Sequence, residues 1–181
     1  MTDPGPLLDR ADIEHAFRSL GERLSRRGLT ADVYVVGGAA LAMAYDARRV
    51  TRDIDAVFQP HGAVLEEAWK VAQELGLPRW WLNDQASVYV ARGGDSNAAR
   101  VFEHPGLRVS AASAEHLLAM KVLAARRRDV EDIRFLVGRL GLTTLDQVLA
   151  VCSEVFPEEP VPDRARLVLE DALASEDDVP G

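Results

Sequence analysis

Asp32-Val33-Tyr34-Val35-Val36-Gly37-Gly38 is followed by an alanine-rich stretch over 39–47, and then by Thr51-Arg52-Asp53-Ile54-Asp55-Ala56-Val57-Phe58. The first five residues, 32–36, are mostly apolar and β-branched (Val33, Val35 and Val36) and predict a strand. Ala39, Ala40, Leu41, Ala42, Met43 and Ala44 are strong helix formers, so 39–47 reads as a helix entered through a glycine pair. Residues 53–58 alternate and predict a second strand, with Asp53, Asp55 and Val57 on one face and Ile54, Ala56 and Phe58 on the other. Pro60 and Gly62 break it.

Two chemistries follow from this order. A Gly-Gly turn at a helix N-terminus lets backbone approach an anion closely, and the unsatisfied N–H groups and the dipole there favour phosphate. Carboxylates at i and i+2 of a strand project from one face and together suit hard cations, which take oxygen ligands. The inner face of the predicted sheet would then carry two carboxylates, which is costly without a partner, and that cost argues for a metal. A lone Gly-Gly is otherwise a plain turn, and a lone Asp-Ile-Asp on an edge strand is otherwise solvated.

Working outward, residues 12–27 place Ile13, Ala16, Phe17, Leu20 and Leu24 on one helical face, with Gly28 as the stop. A helix over 63–75 carries the stripe Val64, Leu65, Ala68, Trp69, Ala72 and Leu75, and Gly76 and Pro78 end it. Short strands are expected at 80–82, 87–92, 100–102 and 107–109, with a polar loop over 92–98. Trp80 and Trp81 either stack a base or fill the core, and adjacent aromatics between two elements are more often core. Ser113 caps a helix over 114–127, another runs over 130–140 to Gly141, and Thr144 with Gln147 makes a capping-box pattern for a helix to residue 155. Pro157, Pro160 and Pro162 form a linker to a last helix over 164–174. Strands early and helices late predict an α+β fold, a small mixed β-sheet core with a C-terminal helical bundle. The expected divisions are 1–112 for the core with its N-terminal helix, 113–175 for the helical subdomain, and 176–181 for a frayed tail.

Composition bounds the function. The 181 residues are 48% hydrophobic, as in a packed globular protein. No apolar run approaches the roughly 18 residues of a membrane helix, so no membrane partner is expected, and 1–10 lacks the pattern of a signal peptide. The single cysteine, Cys152, forms no internal disulfide and sits among Val148, Leu149, Val151 and Val155, a core pattern; a cytoplasmic location is expected. The net charge of −8 argues against nucleic acid, but its distribution softens that. Residues 154–181 hold nine acids and two arginines (2 − 9 = −7), which leaves −1 for 1–153. Within that body lie two basic clusters, Arg48, Arg49 and Arg52, and Arg126, Arg127 and Arg128. They are either solvated faces or groups that meet phosphate. His15, His61, His104 and His116 show no metal-ligand spacing.

A further stretch carries charge beside apolar positions. Lys121 lies among Leu117, Leu118, Met120 and Leu123, where it either snorkels or supplies a point charge. Asp129 and Asp132, at i and i+3, share a helix face. Asp129 stands near the helix start, where an acid serves as a cap, whereas Asp132 has no such explanation.

Val36-Gly37-Gly38, a helix, then Thr51 to Phe58 resembles the signature of the nucleotidyltransferase superfamily related to DNA polymerase beta. His116 to Arg126, followed by Arg128-Asp129-Val130-Glu131-Asp132-Ile133, is similar to the lysine and Asp-x-x-Asp motifs of AbiEii-like and MenT-like toxins, bacterial toxin–antitoxin nucleotidyltransferases. The resemblance covers roughly residues 30–140. It implies Asp53, Asp55, Lys121 and Asp132 as catalytic residues, with Asp53 and Asp55 on magnesium or manganese. It places the nucleotide triphosphate on Gly37, Gly38, Arg52 and Asp129. The acceptor it implies is the 3′ end of a transfer RNA, with a cognate antitoxin protein as partner; Arg48, Arg49, Arg126, Arg127 and Arg128, close in sequence to these motifs, are the expected acceptor contacts. A third metal-binding carboxylate, common on a later strand of the superfamily, has no counterpart in 87–92, and Glu103 is a poor candidate. The alternatives are transfer to a protein or small molecule, or a non-catalytic nucleotide- or partner-binding relative.

Overall fold

The computed structural model describes residues 5–174. The frayed tail expected at 176–181 lies outside the described residues. The chain divides into two compact units. The first runs up to Tyr89 and resumes over Ser96–Ala112; the second combines Val90–Asp95 with the chain from Ser113 onward.

The first unit is a five-stranded mixed sheet with three helices. β1 (Ala31–Val35), β2 (Ile54–Gln59), β3 (Leu82–Asn83), β4 (Ala99–His104) and β5 (Leu107–Ala111) stand in the order β3-β2-β1-β5-β4. β1 is antiparallel to β2 and parallel to β5, β2 is parallel to β3, and β4 is antiparallel to β5. The period of two sorts the side chains. Val33, Val35, Ile54, Ala56, Phe58, Leu107, Val109 and Ala111 are buried, while Asp32, Tyr34, Asp55, Val57, Arg108 and Ser110 are half-buried or exposed. α1 (Arg10–Arg26) contributes Phe17 to the core, tilted against Trp81 at 6.4 Å and Phe102 at 5.8 Å. α3 (His61–Leu75) accepts the Trp81 indole N–H at the Ala68 carbonyl, 2.8 Å away. Trp81 is thus core, as adjacent aromatics suggested, while Trp80 is 42% exposed.

One expected strand is absent. Residues 87–92 do not extend the sheet: Gln85–Tyr89 is a 3₁₀ turn, begun by the Ser87 N–H on the Asp84 carbonyl. Val88 and Tyr89 consequently face solvent. The apolar run Val88 to Ala91 thus belongs in part to a tight turn that leaves β3 rather than to a pleat.

The second unit is helical: α4 (Ala114–Ala124), α5 (Val130–Leu140), α6 (Leu145–Val155) and α7 (Arg164–Leu173). Leu117, Leu118, Val122, Ile133, Leu136, Val148, Cys152 and Leu169 form its core. Burial pushes the Cys152 thiol up to about 11. Ser113 caps α4 by accepting from the His116 N–H, and Thr144 and Gln147 complete a reciprocal capping box on α6. α4 is shorter than the expected 114–127. Ala125 adopts a left-handed φ of 49° and ends it, and Arg127–Asp129 forms a separate 3₁₀ turn. Val90–Asp95 is pinned here by two bonds: the Asp95 carboxylate accepts from the Ser113 N–H at 2.7 Å, and His116 Nε2 accepts from the Ala91 N–H at 3.3 Å. No single helix among the described residues is long and apolar enough to cross a membrane.

Candidate active site

In the first unit the glycine pair opens α2 (Gly37–Ala44) directly beside β2. The Val36 N–H donates to the Asp55 carbonyl at 2.9 Å, which fixes the turn against the strand. Val36 is the N-cap and has no side chain that can cap, and the first turn of α2 carries no acid. That helix end thus has no acceptor from its own N-cap side chain, the usual source of one. Gly37 has φ +64°, a conformation that costs other residues about 1–2 kcal/mol. A Cβ added there would sit 3.7 Å from Asp55 Oδ2, so the glycine backbone lies against that carboxylate. Gly38 is similarly close to Thr51, whose Oγ1 would be 3.2 Å from an added Cβ and donates to the Asp53 carbonyl at 2.9 Å.

Asp53 and Asp55 are both half-buried. Asp55 stands on the more open face of the sheet with Tyr34 and Val57, while Ile54 and Ala56 point into the core. The expectation of two carboxylates on the inner face is therefore corrected: alternation sends the apolar set inward, and partial hydration lowers the cost of the charges. The argument for metal no longer rests on burial. It rests on the donor set, two hard carboxylate groups within reach of solvent beside an uncapped helix end. That set fits a cation whose remaining ligands come from phosphate and water. Among the described residues no group of three or more His, Cys, Asp or Glu side chains is placed to hold a metal ion.

One neighbour of the pair has no signal in the sequence. Asn83, 8% exposed, donates from Nδ2 to Asp53 Oδ2 at 3.1 Å. The strand expected at 80–82 stops one residue short of Asn83, and no pattern in the sequence marks a lone amide there as a partner of Asp53.

The arginines near the turn have partners. Arg48 donates to Asp46 Oδ1 at 3.1 Å, and Arg49 lies 3.9 Å from Asp46 Oδ2. The Arg48 side-chain hydrogen bond, with its backbone N–H, holds the Asp46 carboxyl below the usual range. Arg52 donates to the Gly5 carbonyl at 3.2 Å.

In the second unit, Lys121 is paired with both acids of its motif. Its ammonium lies 2.8 Å from Asp129 Oδ1 and 2.7 Å from Asp132 Oδ2, and the three side chains are 13%, 13% and 21% exposed. The snorkelling alternative does not describe this lysine. Nor does Asp129 cap α5 through its side chain: it holds the N-cap position without a side-chain cap bond and turns its carboxylate to Lys121 instead. The trio carries a net charge of −1. Arg126, Arg127 and Arg128 follow α4 and are all exposed, the last two on the 3₁₀ turn.

The family comparison agrees with the nucleotidyltransferase part of the sequence resemblance and does not extend to the toxin family. A crystal structure of an antigenic nucleotidyltransferase-like protein from Paracoccidioides brasiliensis is similar at 14% identity, covering 92% of this chain and 89% of that one with a TM-score of 0.42. No curated protein matches the sequence. Residues 12–167, which include the glycine turn, Asp53, Asp55 and the Lys121 trio, match the family described as nucleotidyltransferase of unknown function (DUF6036), and the chain belongs to that family.

Proposed function

We propose that this nucleotidyltransferase moves a nucleoside monophosphate from a nucleotide triphosphate to an acceptor hydroxyl, releasing pyrophosphate. The observation that carries the reading is the glycine turn at φ +64° lying against the Asp55 carboxylate, at a helix end without a side-chain cap. The N–H groups of that end hold phosphate oxygens. Asp53 and Asp55 would hold magnesium or manganese, which when bound neutralises phosphate charge and activates the attacking hydroxyl. The protein's own work is positioning, which suits phosphoryl chemistry. Gly37 allows the phosphates to approach, and Thr51 and Asn83 fix Asp53 at its carbonyl and its carboxylate.

The proposed acceptor is the 3′ end of a transfer RNA, the chain acting in the cytoplasm as the toxin of a toxin–antitoxin pair restrained by an antitoxin protein. The likeness of residues 116–133 to the toxin motifs supports this, and Lys121 and Asp132 are assigned catalytic roles on that basis. With Arg48 and Arg49 turned to Asp46, RNA contact rests mainly on Arg126, Arg127 and Arg128. Incubation with each labelled triphosphate, magnesium or manganese, and total transfer RNA tests the reading. Label should enter RNA with the parent and not with Asp55→Ala, which should remain folded because removing one of two adjacent carboxylates relieves repulsion. An Asp55→Ala protein of parental activity sinks the assignment. Label entering protein or a small molecule instead selects the alternative acceptor.

A further inference from the structure

The carboxylate of Asp53 is held from the neighbouring strand. β3 runs parallel to β2, with Leu82 opposite Ile54 and Asn83 opposite Asp55. Three contacts set the Asn83 amide. Nδ2 donates to Asp53 Oδ2 at 3.1 Å and lies 3.4 Å from the Trp80 carbonyl, while Oδ1 accepts from the Gln85 N–H at 3.1 Å. The oxygen end is thus used by the 3₁₀ turn, and the nitrogen end is aimed at Asp53. The following residue, Asp84, turns to His61 Nε2 at 2.7 Å, so position 83 is where the short strand meets the carboxylate pair.

We propose that Asn83 is a positioning residue of the Asp53–Asp55 pair, which fixes Asp53 through one oxygen while withholding a third negative charge. The inference rests on the nucleotide-transfer reading of the same residues. A neutral donor at this position occupies one oxygen of Asp53 and adds no charge to the Asp53–Asp55 pair. Cation affinity rises with the number of charged ligands. Two carboxylates with an amide beside them therefore bind a divalent ion weakly on their own, and bind it well once a polyphosphate adds oxygens. Asn83 thereby makes the cation arrive with the nucleotide instead of remaining resident.

The test uses manganese alone, without nucleotide, on the full-length protein, with binding followed by the electron paramagnetic resonance signal of free manganese. Asn83→Asp has the same shape and still accepts from Gln85, but it sets a carboxylate against Asp53. It should bind manganese about tenfold more tightly than the parent, melt below it in chelator, and gain more on adding manganese. The exchanged double variant, Asn83→Asp with Asp53→Asn, restores a donor–acceptor pair at unchanged charge and should return to parental melting and weak manganese binding. If Asn83→Asp binds manganese no better than the parent, the proposal is overturned, whether or not the parent transfers nucleotide. If Asn83→Asp does not fold, the double variant decides, and failure of the exchange to recover the parent overturns the proposal. Tightened binding in Asn83→Asp with no transfer by the parent would leave the role of Asn83 standing and remove the transfer reading instead.

Discussion

Removing the Lys121 ammonium leaves Asp129 and Asp132 facing each other. Their oxygens lie 2.8 and 2.7 Å from the Lys121 nitrogen, so they are at most 5.5 Å apart (2.8 + 2.7). At that separation two negative charges repel by about 3 kcal/mol at an effective dielectric of 20, and by about 0.8 kcal/mol in water. With 13% and 21% of the two acid side chains exposed, the cost falls between these limits, at about 2 kcal/mol. Lys121→Met keeps most of the aliphatic stem and isolates this effect. At a urea dependence of about 2 kcal/mol per molar, the unfolding midpoint should fall by about 1 M with an unchanged slope. Adding Asp132→Asn removes one of the two like charges and should restore most of the stability, a coupling that a double-mutant cycle reads directly. If Lys121→Met unfolds at the parental urea concentration, the two acids do not share this cation and the reasoning fails. Lys121→Met should also lower nucleotide turnover if the proposed role holds, and assays run well below the unfolding midpoint separate the two effects.

Gly37→Ala should cost about 1–2 kcal/mol of stability from its positive φ, yet abolish triphosphate binding by placing a methyl against the phosphate approach; full retention of binding by calorimetry would remove the turn from the site. Burial, opposed by the Asp95 carboxylate, lowers the His116 pKa below its ordinary 6.5. The unfolded chain therefore takes up this proton first as pH falls. Stability present above pH 6.5 should be lost toward the lower folded value, and His116→Gln should flatten that part of the urea-midpoint profile; a parental profile unchanged by the substitution would contradict it. Replacing Arg126 and Arg127 with alanine should weaken transfer RNA binding and reduce the log–log salt slope by about one for each phosphate that the variant no longer neutralises, leaving nucleotide binding intact. An unchanged slope would make the cluster a solvated face and favour a protein or small-molecule acceptor.

The most legible parts of this sequence are those governed by local rules. Glycines at 76 and 141 end their helices in the left-handed conformation, Ser113 and Thr144 cap theirs, and the period of two assigns Asp53, Asp55 and Val57 to one face. Which face is buried depends on helices distant in sequence, so the alternation alone does not say that the acids stand on the open side. Asp129 illustrates the same limit: its position predicts a cap, and a lysine eight residues earlier takes its carboxylate instead. The strand expected at 80–82 comes within a residue of Asn83, but the pairing with β2 that sets its amide against Asp53 is recorded in no local pattern.

The path of the chain through its two units bears on how such a protein can be divided or inherited. Val90–Asp95 is built into the helical unit although residues on both sides of it belong to the sheet. A fragment beginning at Ser113 would lack Asp95, the acceptor of its own first N–H, and Ala91, the donor to the buried His116 ring. A single cut therefore yields no complete half, and a gene fusion that carries only α4–α7 into another context imports a bundle missing six residues of its framework. Recombination between relatives faces the same constraint. Exchanging the sheet between two such proteins requires their 90–95 segments to be interchangeable as well.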